Sequence, residues 1–525
     1  MNYLLHHLLQ ASAARDHSQE AIVAGSERRT YGEAATACTA LASGLRSAGL
    51  RRGGRVGVLL EAGIDQAISI FAASEAGGVF VPIHVGLFPD QVGHIIADCG
   101  MSVLITVRER LTSLIEADVD LTPLSSIVMC DGSAAAFSAA LPAVDLDEVA
   151  AHTASSLTDV AIGRDLAGLM YTSGSTGRPK GVMISHEQVL AGSAIVSDYL
   201  GIRSDDRILG VLPFSFDAGL NQLITAFDQG ATILPMSFTF GREIVNAIES
   251  ERVTALAGVP TLWHLLVHPR SGLVQSDMSS LRYITNTGGH MPASILEQLR
   301  QALPHTQIFL MYGLTEAFRS TYLDPAELDR RPDSMGKAIP NTEILVLRPD
   351  GTRCDPGEVG ELVHRGPTVS LGYWGRPDLT AQRLRTLDDG ENSPTAQELV
   401  CFSGDLVRTD DEGFLYFVGR GDAMIKTSGY RVSPTEVESV ALSHDAVSAA
   451  AAVGASDDAL GQTIVLFVVA APSADVVEAE IIAHVAAHRP PHMVPRSVRV
   501  VSSLPQTSTG KVNYPELKAR AEETS

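Results

Sequence analysis

The stretch "YTSGSTGRPKGV", residues 171–182, crowds hydroxylated residues and glycines around one lysine. It is too polar for a sheet interior and too rich in glycine for a helix. The apolar runs on either side, "AGLMY" and "GVMIS", predict short strands, and Ser185 with Gln188 predicts a capping box opening the next helix. Between the strands Ser173, Gly174, Ser175, Thr176 and Gly177 can offer backbone N–H groups and hydroxyls to one small anion, and Lys180 adds a positive charge. A Walker A loop needs Gly-Lys-Ser/Thr running straight into a helix. Here Pro179 precedes Lys180 and a strand follows, so that reading fails. Taken alone, the loop reads equally well as a hairpin connector.

Composition narrows the setting. A chain of 525 residues, 45% hydrophobic, buries more than one core, so at least two domains are expected. A net charge of −22 argues against a nucleic-acid partner, since phosphate-backbone binding draws on clustered Lys and Arg. Cys38, Cys99, Cys130, Cys354 and Cys401 are scattered, odd in number and without a C-x-x-C pair, which predicts reduced packing residues and neither a disulfide framework nor a zinc site. The N-terminal "MNYLLHHLLQASAARDHSQEAI" lacks a basic leader and has His6 and His7 within its apolar run, so an amphipathic helix is expected there and not a signal peptide. No apolar run is long enough to span a bilayer, and a soluble cytoplasmic protein without a membrane partner is expected.

From Arg55 onward, short apolar runs alternate with helical stretches: "RVGVLL", "VFVPI", "SVLIT", "RILGVLPF", "ATILPM", "ALAGVP", "YITNTG" and "QIFLMYG". This is the rhythm of a layered α/β protein with buried strands. Beyond Ser334, "EILVLRPDG", "GELVHRG" and "GFLYFVGRGD" alternate between turns and predict an antiparallel β-rich part. From about Asp422, helix "PTEVESVALSHDAV", strands "SAAAAVGA" and "TIVLFVVAA", and helix "VVEAEIIAHVAAH" predict a small α+β unit.

Four further segments bear on the loop. "MYGLTE" sets Thr315 and Glu316 just past a buried strand, where a carboxylate can hold Mg²⁺ against phosphates. "SGDLVRTDDEG" offers Asp405 to a pair of ribose hydroxyls. "GRGDAMIKTSGYRVSPTEVE" carries Arg420, Asp422, Lys426 and Gly429, and "LPQTSTGKVN" carries Lys511 in a Gly-Lys turn. In this order, from "RTYGEAA" at Arg29 to Lys511, the segments resemble the adenylate-forming superfamily: acyl-CoA synthetases, luciferases and the adenylation domains of nonribosomal peptide synthesis. Within it the chain looks most like stand-alone ligases that load amino acids onto carrier proteins.

The resemblance implies an α/β fold. A large N-terminal domain, residues 1–421, would hold two layered α/β subdomains plus a distorted β-barrel, and a small mobile α+β domain, residues 422–525, would pivot at Asp422. It implies that a substrate carboxylate attacks the α-phosphate of ATP to give an acyl-adenylate and pyrophosphate. Thr172 to Gly177 with Lys180 would hold the β- and γ-phosphates and Glu316 the Mg²⁺. Met311, Tyr312, Gly313 and Thr315 with the turn Thr287, Gly288, Gly289 and His290 would frame the nucleotide, Asp405 and Arg420 would fix the ribose, and Lys511 would meet the carboxylate and α-phosphate. A phosphopantetheine thiol, of a carrier protein or of CoA, would then take the acyl group. The chain reaches Ser525 without a Leu-Gly-Gly-x-Ser-Leu type segment, so a separate carrier protein is expected.

For the substrate, "LPFSFDAGLNQL" is the informative segment. Phe216-Asp217 resembles the amino-acid-activating branch, whose aspartate pairs with the substrate ammonium, and a charge in an apolar pocket needs such a partner. Asp217 is also a good residue to cap the following helix. By the same resemblance Ala218, Asn221, Ala257, Thr285, Thr287, Met311, Arg319 and Ser320 would line the side-chain pocket. That lining is small and polar and suits a small amino or imino acid, β-amino acids included. An AMP-forming acyl-CoA ligase for a non-amino acid is the alternative. His84, where peptide-synthetase domains carry Leu-Asp, and Arg319 depart from the pattern for standard α-amino acids. Arg319 either meets a second substrate carboxylate or pairs within the protein.

Overall fold

A computed structural model of the chain describes residues 2–151, 157–172, 178–289, 291, 293–387, 398–420, 425–432, 434–471, 476–505 and 512–523. Among these residues the strands assemble into four sheets. The first runs, in spatial order, Ala143–Asp145, Ser126–Met129, Val103–Thr106, Arg55–Val58, Val79–Pro82, Leu166–Thr172 and Lys180–Ser185. It is parallel until the last pair, which closes antiparallel. The second sheet is parallel through Glu20–Ala24, Thr232–Pro235, Arg207–Gly210, Ala255–Gly258, Tyr283–Asn286 and Gln307–Leu314. Antiparallel strands Glu27–Thr30 on one side and Ala317–Leu323 with Lys337–Ala338 on the other complete it. Every apolar run read from the sequence as a buried strand is one.

One core joins the two sheets. Phe71, Phe80, Phe214, Phe227, Ile233 and Phe309 belong to a single buried cluster. The helices between the sheets are therefore buried on nearly all sides, mostly by apolar residues with a few buried polar ones among them. In Ile64–Glu75 every residue but Asp65 is buried, and in Asp217–Gln229 all of 218–227 are. The expected N-terminal helix, His6–Arg15, packs beside them. His6 is buried and meets Ser74 at 3.0 Å and Asp159 at 3.1 Å.

The part read as β-rich forms an antiparallel five-stranded sheet of Glu343–Leu347, Gly360–Arg365, Leu399–Thr409, Leu384–Thr386 and Leu415–Arg420. The last sheet is the hairpin Val447–Asp457 and Gly461–Ala470 with Ile425–Thr427, Tyr430–Val432 and Ser497–Val500. Helices Pro434–Leu442, Glu478–His488 and Tyr514–Glu522 accompany it, an α+β unit. The five cysteines are free. Among the described residues no helix is long and apolar enough to cross a membrane.

Candidate active site

The ends of the strands open onto one cleft of roughly 1260 Å³. Its wall on the first sheet is the base of the glycine-rich loop. Leu166–Thr172 and Lys180–Ser185 pair antiparallel with Thr172 opposite Lys180, so strand, loop and strand follow one another as expected and no helix begins at the lysine. Ser185 and Gln188 form the capping box of helix His186–Leu200. Ser173 to Gly177 lie outside the described residues. Asp98 braces the loop base: it accepts from Tyr171 at 2.7 Å and from Arg376 at 2.5 Å. His94 Nε2 lies 2.9 Å from the Pro179 carbonyl.

A contact invisible in the loop's own sequence sets Lys180. Residues 371–374 lie against Lys180–Ser185, with Met183 N–H donating to Gly372 and Trp374 N–H to Gly181. Tyr373 thereby lies under Lys180, whose Nζ is 4.1 Å from the ring centre. The Tyr373 hydroxyl donates to Glu316 at 2.5 Å. Burial and the neighbouring carboxylate push the Tyr373 phenol well above its ordinary pKa, which keeps it a donor. Lysine, tyrosine and buried glutamate are thus one unit. Its only local signal is the aromatic pair in "GYWGRPD", outside any segment singled out above.

Glu316 and Thr315 are the turn between strands Gln307–Leu314 and Ala317–Leu323, so the hairpin delivers both to the cleft. Glu316 is buried, with one oxygen held by Tyr373. A single fixed carboxylate beside a lysine fits Mg²⁺, which retains several waters and shares its remaining positions with phosphate oxygens. Met311, Tyr312, Gly313, Thr287, Gly288 and Gly289 line the same cleft, as does Asp405. Tyr312 donates to Asp405 at 2.5 Å, and Asp405 stands opposite Arg420 across the antiparallel ladder. His290, Asp422 and Lys511 lie outside the described residues.

Phe216, Asp217 and Ala218 line the same cleft as the turn 287–289. Helix Asp217–Gln229 begins at Asp217 itself, with Phe216 in the cap position and no side chain capping it. The carboxylate is therefore not in the cap position, though the backbone N–H groups of Asp217 and Ala218 at the helix start help hold its charge. It lies in the first turn, where the helix dipole favours an anion. Burial pushes its carboxyl up, and Arg319 partly offsets this. Ala218 and Ala257 share a small apolar cluster with Leu212, and Thr285 pairs in register with Ala257. Asn221 and Arg319 are buried, and Arg319 donates to Thr287 at 3.2 Å. Ser320 meets His364 Nδ1 at 2.8 Å, and burial lowers that imidazole to about 3, so the pair is neutral.

The α+β unit closes the cleft. Lys426, Gly429 and Tyr430 line it, and a ladder of rings crosses it. His84 stacks on Phe216 at 5.3 Å, Phe216 meets Tyr430 edge-on at 5.2 Å, and Tyr430 stacks on His492 at 3.6 Å. Gly429 has φ +78° and lies so near Val259 that a Cβ would come within 2.9 Å of it, so only glycine fits. Beside the ladder, Gln91 donates to Glu436 at 2.7 Å and Arg489 lies 3.5 Å from it. Burial holds the Glu436 carboxyl up at about 7 against an ordinary 4.5. A group raised in the folded state adds stability below its unfolded pKa and loses it as pH climbs through the folded one. We expect Glu436→Gln to raise Tm at pH 8 and to flatten the pH dependence of Tm between about 4.5 and 7. A pH series of melting curves with the wild-type slope retained in the variant would contradict this.

Residues 9–374 match the family described as AMP-binding enzyme, and residues 436–511 match the AMP-binding enzyme C-terminal domain. Feruloyl-CoA synthase of Amycolatopsis sp is 33% identical over 94% of this chain and 94% of its own length. L-proline--[L-prolyl-carrier protein] ligase of Streptomyces coelicolor is 31% identical over 97% of this chain and 95% of its own. Among solved structures, amide bond synthetase McbA from Marinactinospora thermotolerans superposes with a TM-score of 0.84 at 25% identity, covering 98% of this chain and 99% of that one.

Proposed function

This chain belongs to the AMP-binding enzyme family and is an ATP-dependent, adenylate-forming ligase, and from that premise we propose that its acid is a small amino or imino acid, β-amino acids included. The acyl group then passes to the phosphopantetheine thiol of a separate carrier protein. Asp217 carries this reading. It lines the cleft beside Phe216, and although Arg319 and the N–H groups of its own helical turn partly hold its charge, burial still raises its carboxyl, which a cation arriving with the substrate would relieve. The likeness to feruloyl-CoA synthase favours the second reading, an acyl-CoA ligase for a non-amino acid.

In the first half-reaction a carboxylate oxygen attacks the α-phosphorus and the α–β P–O bond breaks, releasing pyrophosphate. Such chemistry needs alignment and charge neutralisation more than covalent help. We assign Thr172 to Gly177 and Lys180 to the departing phosphates, and Tyr373 holds both Lys180 and Glu316 in place for them. Mg²⁺ at Glu316 would offset phosphate charge. Tyr312, Gly313 and the turn Thr287 to His290 are assigned to adenine, Asp405 and Arg420 to ribose, and Lys511 to the charge developing between carboxylate and α-phosphate. In the second half-reaction the thiol sulfur attacks the carbonyl carbon, the C–O bond to AMP breaks, and AMP leaves. The placement of Lys426, Gly429 and Tyr430 on the cleft supports a unit, 422–525, that turns about Asp422 between the two steps.

Asp217→Ala tests the reading. Pyrophosphate exchange measured with an amino acid and its des-amino analogue is expected to show the amino preference falling by about 100-fold in kcat/KM, the order of a buried charge pair broken on one side. An unchanged ratio would show that Asp217 does not read the amine.

A further inference from the structure

Arg319 is the most unusual residue near the cleft. It lies in strand Ala317–Leu323 yet has φ 67°, a left-handed conformation that costs a side-chain-bearing residue energy. The cause is local. Pairing with Gln307–Leu314 shifts between Tyr312 and Leu314, and the backbone of Arg319 folds against Gly313 so closely that a Cβ there would lie 3.1 Å from the Arg319 Cα. The irregularity lets the guanidinium reach Thr287, a residue of the cleft wall, at 3.2 Å.

Arg319 is 4% exposed, and among the described residues its guanidinium has no carboxylate within ion-pair distance and its Nε has no hydrogen-bond partner. A buried cation left this way costs several kcal/mol. Asp217 is close enough to feel it but does not contact it. One turn along the helix from Asp217, on the same face, Asn221 has a buried Nδ2 that is also without a partner. Of these three groups Asp217 lines the cleft, while Arg319 and Asn221 are buried behind its lining with unsatisfied donors, and Arg319 reaches the lining through Thr287. A monocarboxylic amino acid answers only the first.

We propose that Arg319, with Thr287, binds a second carboxylate of the substrate, so that the acid activated is a small amino dicarboxylic acid. This rests on the amino-acid reading above and adds an anionic side group to it. The planar guanidinium grips a carboxylate through paired N–H donors, a geometry that neither an amide nor a methyl group can match.

The test is pyrophosphate exchange with aspartate, glutamate and 3-aminoglutarate, their side-chain amides, apolar amino acids of similar size, and succinate and glutarate. Wild type, Arg319→Lys and Arg319→Gln are compared, with Tm recorded for each. The wild type is expected to prefer an amino dicarboxylic acid over its amide by about 100-fold in kcat/KM. Arg319→Gln is expected to erase that preference through KM while keeping exchange with the amide, and Arg319→Lys to restore part of it. The proposal is overturned if no amino dicarboxylic acid supports exchange, if acid and amide are equal in the wild type, or if Arg319→Gln lowers every substrate alike. Succinate or glutarate equalling the amino acids would refute the amine reading and leave the role of Arg319 standing. Preference for apolar amino acids would do the reverse.

Discussion

Lys511→Ala is expected to lower substrate-dependent pyrophosphate exchange by about 10³-fold, at the upper end of what one preorganised group supplies to a developing charge. The lysine stands in "PQTSTGKVN", where Gln506 to Lys511 include no apolar side chain and Val512 just beyond packs on the hairpin cluster. Helix Tyr514–Glu522, which begins three residues later, packs through the apolar Leu517 and Ala521 on the hairpin strands. Tm should therefore not move. Transfer from a preformed acyl-adenylate to a thiol should survive, because the role proposed for the lysine lies in the first half-reaction only. Exchange that persists in a folded variant would remove Lys511 from the chemistry.

Glu316→Gln is expected to cost about 10²-fold in kcat for adenylation and to raise the Mg²⁺ concentration needed for half-maximal exchange. The substitution is informative because the structure accommodates it. Tyr373 donates to a carboxylate oxygen, and a glutamine carbonyl accepts the same bond. The buried position keeps its shape and loses its charge. Lys180, fixed over the Tyr373 ring, should stay in place, so ATP binding should weaken less than turnover does. An unchanged Mg²⁺ dependence would mean that Glu316 is a structural partner of Tyr373 and no more.

The strands were legible because each buried strand is a continuous apolar run closed by a turn, from "SVLIT" to "QIFLMYG". The loop base was legible for a related reason: Pro179 and the apolar run after Lys180 force a strand where a Walker A motif needs a helix. The cap position of Asp217 was not. Cap and first helical residue differ by one backbone turn that side-chain chemistry does not distinguish, and Phe216 takes the cap. The role of Tyr373 has no signal in the sequence near Lys180, because the tyrosine reaches the lysine across nearly two hundred residues of chain. The ring ladder joins His84, Phe216, Tyr430 and His492 from four separate segments, and periodicity within any one of them is silent about the others. Arg319 was conspicuous as a residue type, but only the backbone geometry explains how it comes to face Thr287.

The proposed function requires that the cleft read an amine. Wild-type pyrophosphate exchange with small amino acids, including dicarboxylic and β-amino acids, beside the des-amino partner of each, tests it most directly. Exchange confined to amino acids, with des-amino partners weaker by about 100-fold in kcat/KM, is the result expected from Asp217. Des-amino acids or cinnamic-type acids matching or exceeding the amino acids would contradict it, and the acyl-CoA ligase reading would take its place.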